Sequence, residues 1–129
     1  MQGIPESAAE FLAIDHVQLA MPAGEESIAR DFYSGLLGMN EVQKPSELAK
    51  RRGCWLESGS VQLHLGVEND FHSAKKAHPA MRCSYYDGLL AKLHKAAVEI
   101  TGGRNPRRAA LHIHNPFGNR IELIAGESL

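Results

Sequence analysis

Two periods of hydrophobic patterning alternate along this chain. In IDHVQLAM (14–21), Ile14, Val17, Leu19 and Met21 stand against Asp15, His16, Gln18 and Ala20. A period of two, imperfect only at its start, predicts a strand with one buried face. Pro22, Ala23 and Gly24 end it, and Ile28, Phe32, Leu36 and Leu37 then recur at helical spacing. Glu25 and Glu26 open that helix where its positive end favours acids, and Gly38 is a natural stop. A short strand at 40–43, the polar loop PSELAKRRG (45–53) and a hairpin in CWLESGSVQLHLGV (54–67), turning at Ser58, Gly59 and Ser60, complete a β-α-β-β-β unit.

The same order then recurs, and a repeat of this kind governs the fold. HPAMRCS (78–84) reads as a strand, Leu89, Leu90, Leu93 and Ala97 form a helical stripe, a short strand follows at 98–101, and ALHIHNPFGNRIELI (110–124) closes as a hairpin through Asn115, Pro116, Phe117 and Gly118. ITGGRNPRR (100–108), with Gly102, Gly103, Arg104, Arg107 and Arg108 and no apolar stripe, reads as a rim loop. The expected architecture is therefore α+β: two βαβββ units forming a curved, cup-like mixed sheet with helices outside. Residues 1–12 are a lead-in and 13–129 a single domain, with unit one at about 13–70 and unit two at about 75–126.

Charge and composition narrow the function. Fourteen Lys and Arg against fifteen Asp and Glu leave a formal charge of -1, which supplies no general attraction to nucleic acid or an anionic membrane. No apolar run approaches the ~20 residues needed to cross a bilayer. The N-terminus lacks the basic and long apolar stretches of a secretory signal, so a cytoplasmic location and a small-molecule partner are expected. Cys54 and Cys83, each in an apolar strand-like setting, are expected to be reduced and buried.

Strand parity sorts the polar residues, because successive side chains point to opposite sides of a sheet. His16 and Gln18 share one face; Gln62 and His64 do the same on their strand, as do His78 and Arg82, His112 and His114, and Arg120 and Glu122. Such a face can simply meet water. Here, however, it carries His and Glu, which ligate metals or move protons, in place of Lys, Thr and Ser. His16 and His78 occupy matched places in the two units, and so do His64 and Glu122.

By IDHVQLAM, ARDFYSGLLGM, SGSVQLHLGVE, AHPAMRC, LLAKLHKAAVEI and above all NPFGNRIELI, the sequence resembles the vicinal-oxygen-chelate superfamily, and within it a glyoxalase-like member. That superfamily includes glyoxalases, bleomycin-resistance proteins and extradiol dioxygenases. The resemblance spans about residues 14–125. It implies metal ligands from the first and last strands of each unit, here His16, His64, His78 and Glu122, and cups that often form across a homodimer. Two departures stand out: His64 where relatives often have Glu or Gln, and Pro79, which holds His78 in extended geometry and cannot donate to a ladder.

Three imidazoles and a carboxylate suit Zn, Ni, Co, Mn or Fe without choosing among them. In a glyoxalase-like reaction Glu122 would be the base that moves a proton between neighbouring carbons, with His112 on the same face as a second catalytic group. Gln18, Gln62, Arg82 and Arg108 are candidates for orienting polar substrate groups, and Trp55 for contacting the substrate body, although a tryptophan in such a place is more often part of a core. The leading expectation is a metal-dependent lyase or isomerase acting on a small oxygenated metabolite or xenobiotic. The alternatives are a metal-free drug-binding resistance protein of the same fold and a dioxygenase.

Overall fold

The computed structural model describes Gly3 and residues 8–127. Within them the chain forms β1 (Val17–Met21), α1 (Glu26–Arg30) running into a π-helical segment (Asp31–Leu36), β2 (Asn40–Val42), β3 (Gly53–Ser58) and β4 (Val61–Val67). The second unit follows as β5 (Ala80–Cys83), α2 (Tyr86–Lys95), β6 (Thr101–Gly102), β7 (Ala110–His114) and β8 (Arg120–Ala125).

Each unit folds into one four-stranded mixed sheet, in the orders β1-β4-β3-β2 and β5-β8-β7-β6. The first strand of each unit runs parallel to the last, and the remaining pairs are antiparallel. The two βαβββ units of an α+β fold are thus present in the expected order.

One core joins the units. Leu19, Met21, Leu56, Leu63 and Leu65 from the first sheet share a cluster with Phe32 and Tyr33, and with Leu93, Leu111, Ile113, Ile121 and Leu123 of the second unit. These are the apolar-face positions of the strands and the apolar stripes of the helices, so burial of apolar area drives both sheets against their helices. In the π-helical segment the Leu37 amide reaches Phe32 O at 3.0 Å. The wider turn allows Phe32 and Tyr33 both to face the core.

The turn 115–119 fastens the units with buried polar contacts. Asn115 donates from Nδ2 to the Tyr33 hydroxyl at 2.9 Å, and its Oδ1 accepts the amides of Phe117 and Asn119. Asn119 donates to Ala20 O and accepts from the Ala74 amide, both at 2.9 Å. Gly118 sits at φ +87, and a Cβ there would meet Ser73 Oγ at 2.6 Å, so both conformation and space require glycine.

Several boundaries differ from the sequence expectation. β1 starts at Val17, not Ile14: its partner β4 begins at Val61, the register opens with Val17 opposite Leu63, and Ile14 is left exposed. β5 starts at Ala80 because Pro79 has no N–H to give the ladder. Ala97, expected on the helical stripe, lies beyond α2 at φ 57 and is exposed. The short sixth strand is Thr101–Gly102 rather than 98–101. Both cysteines are free, but only Cys54 is fully buried; Cys83 is half-buried, which corrects the expectation of two buried thiols.

Candidate metal centre

The antiparallel register of β7 and β8 sets His112 directly opposite Glu122, on the face turned away from α2. Parallel pairing of β5 with β8 sets Ala80 opposite Glu122, so His78, two residues earlier, arrives on that face as well. The Pro79 carbonyl accepts the Glu122 amide at 3.0 Å, so the proline lost to the ladder as a donor still anchors this end of the strand.

His78 Nε2 and His112 Nε2 each lie 3.1 Å from the same oxygen, Glu122 Oε1. The His78, His112 and Glu122 side chains are 24%, 19% and 12% exposed. One ligand atom from each comes within 4.8 Å of the other two, the sole grouping of this kind among the described residues. Donors about 2.0–2.2 Å from a common ion stand about 3.0–3.5 Å apart at octahedral or tetrahedral angles, so the two 3.1 Å separations suit a divalent cation.

The tautomer of His78 strengthens that fit. Its Nδ1 lies 2.8 Å from Lys76 O. A carbonyl only accepts, so Nδ1 carries hydrogen and a neutral ring presents its Nε2 lone pair to the Glu122 carboxylate. Two lone pairs at 3.1 Å need a positive charge between them, either a proton or a metal ion. A backbone carbonyl holding the far nitrogen is also the usual way in which a ligating histidine is oriented.

Burial acts to raise the pKa of Glu122, but hydrogen bonds from His112 and His78, together with their charge, outweigh it and hold the carboxyl below its ordinary range. Glu122 is therefore an anion at neutral pH. Burial pushes both thiols upward, so neither Cys54 nor Cys83 offers a thiolate there.

His16 and His64 stand apart from this group, on the first sheet. Their rings stack at 4.2 Å between centroids, and on its other side His64 stacks on Trp55 at 4.0 Å with the planes 3° apart. Trp55 faces His64 directly in the β3–β4 register, a pairing that depends on the two-residue turn at Gly59 and Ser60. Asp15 Oδ2 lies 2.9 Å from His16 Nδ1. Burial, and then the charge of His16, lower the pKa of His64.

The remaining candidates are scattered. Gln18 and Gln62 are exposed on β1 and β4. Arg82 donates to Gly126 O at 2.8 Å. The backbone of Arg108 is held by Asn105 Oδ1, while its Nε is buried without a hydrogen-bond partner, as is that of Arg120. A cleft of about 1260 Å³ runs between β1 and β5, with His16, Gln18, His78 and Arg82 on its walls.

No protein-family model and no curated protein matches the sequence. Among solved structures, a protein of the glyoxalase family from Bacillus anthracis is 42% identical, with a TM-score of 0.86, over 91% of this chain and 97% of that one. The chain belongs to the glyoxalase family. This glyoxalase-family chain, a member of the vicinal-oxygen-chelate superfamily, also shares its fold with more distant proteins. The fosfomycin resistance protein FosX from Listeria monocytogenes is 12% identical, with a TM-score of 0.65, over 91% of this chain and 93% of its own. TnmS3, an antibiotic binding protein from Streptomyces sp. CB03234, is 21% identical, with a TM-score of 0.65, over 89% and 98%.

Proposed function

We propose that this glyoxalase-family protein is a metal-dependent lyase or isomerase acting on a small oxygenated metabolite or xenobiotic. The observation that carries the reading is the meeting of His78 Nε2 and His112 Nε2 on Glu122 Oε1, each at 3.1 Å. These three residues would hold the ion, which, when bound, supplies Lewis-acid stabilisation of negative charge developing on substrate oxygen. Zn, Ni, Co, Mn and Fe all suit the donor set.

Glu122 keeps its charge at neutral pH and holds both imidazoles in place. Glu122 is the group assigned to move the substrate proton, with His112 beside it on the strand opposite. Gln18, Gln62, Arg82, Arg108 and Trp55 are assigned to the substrate. His16 and His64 are assigned as further ligands through a homodimer. Among the described residues β1 and β5 each have one unpaired edge, which supports a second copy docking there.

Titration of the purified protein with Zn, Ni, Co, Mn and Fe, combined with an assay of methylglyoxal hemithioacetal conversion, tests the proposal. One divalent ion per site, lost in His78→Ala and Glu122→Ala, together with turnover, is the expected result. A protein that retains no divalent ion yet binds small molecules tightly is instead a sequestering protein.

A further inference from the structure

A second pocket, about 400 Å³, opens on the first sheet away from the three-residue centre. Its floor is Gly66, crossed by the Gln18 side chain, whose Nε2 lies 2.8 Å from where a Cβ on Gly66 would stand. Trp55 forms one wall and the loop 44–52 the other, bringing Lys44, Lys50, Arg51 and Arg52 to the rim.

No acid lines this pocket, and among the described residues none of the four cations belongs to an ion pair. Their convergence is held by the fold. Lys44 Nζ donates to Arg51 O at 2.6 Å and to Arg52 O at 3.2 Å, closing the loop on itself and keeping the like charges together. The cost of that repulsion is relieved by an anion, which arginine recognises through its planar fork. Trp55 is fixed by its stack on His64, so it offers a rigid apolar wall at little entropic cost.

We infer that this pocket binds an anionic group, a carboxylate or a phosphate-like oxyanion, on a ligand whose planar or apolar body lies along Trp55. Gln18 lines both this pocket and the cleft that contains His78, which joins the two by a continuous surface. The inference rests on the proposed function only in taking the anion to be one end of the substrate. The anion site itself needs no metal.

Trp55 is the only tryptophan and lines this pocket, so its fluorescence responds to a ligand bound there. The protein, once with bound divalent ion and once after chelation, is titrated with phenylphosphonate, benzoate and the neutral benzamide. Saturable changes are expected for the two anions in both forms, with benzamide at least ten-fold weaker and the anion affinities falling as salt rises. Arg51→Gln/Arg52→Gln, a pair of exposed positions, is expected to weaken the anions at least ten-fold and leave benzamide unchanged. Equal affinity for benzamide, affinities unmoved by the double substitution, or no saturation overturns the inference. Anion binding that survives chelation while the hemithioacetal assay shows no turnover supports the pocket and counts only against the proposed reaction.

Discussion

His112 and Glu122 face each other across the β7–β8 ladder, with Nε2 3.1 Å from Oε1, and His78 reaches the same oxygen from the segment just before the parallel strand β5. Strand pairing thus fixes two of the three donors, while His78, just before β5, is held by the Lys76 carbonyl of the preceding loop.

Removing the charge at that point tests the ligand set. Glu122→Gln keeps the shape but replaces an anion with an amide, and His112→Ala removes one of the two nitrogens. Each is expected to weaken divalent-ion binding at least ten- to a hundred-fold, with His16→Ala weakening it only if the homodimer supplies that ring. Calorimetric titration of each variant, set beside its oligomeric state in solution, provides the check; affinity unchanged in Glu122→Gln would sink the assignment.

His64 predicts an acid-side loss of stability. Its folded pKa lies below the ordinary 6.5, because burial and the neighbouring His16 disfavour its charged form. The unfolded chain therefore takes up this proton first. The group costs nothing above about pH 6.5, and its contribution is lost progressively as pH falls from there through the folded pKa. Urea midpoints measured from pH 7.5 to 5 should fall for the native chain and fall less for His64→Phe, which keeps a ring in the stack. Parallel curves for the two proteins would contradict the prediction.

Asn119 is 1% exposed and bonds Ala20 O and the Ala74 N–H at once. Asn119→Ala leaves both backbone groups without these partners, so a loss of about 2–4 kcal/mol is expected from thermal or urea unfolding. The variant is expected to lose this stability in both its metal-bound and metal-free forms, because the contact joins the units rather than the ligands.

Gly118→Ala meets two obstacles, a φ of +87 and Ser73 Oγ 2.6 Å from the new Cβ. The expected cost is about 1–3 kcal/mol. Ser73→Ala/Gly118→Ala separates the two: relief of the collision recovers part of the loss, while the backbone strain remains. Full recovery would mean that the conformation itself costs nothing.

Local pattern determined the order of elements, the parity of each strand and the duplication, because a period of two or 3.6 is a property of a few neighbouring residues. The shared face of His112 and Glu122 was legible for the same reason: the hairpin places them symmetrically about its turn. Tertiary structure alone decided which histidines meet. His78, His112 and Glu122 converge because the parallel β5–β8 and antiparallel β7–β8 registers coincide at Glu122. His16 and His64, equal candidates by parity, stack with Trp55 on the other sheet, where the exact length of the Gly59–Ser60 turn sets the pairing. Strand parity specifies a face but not which sheet a face meets, and that choice rests on long-range packing through Asn115, Asn119 and the shared core.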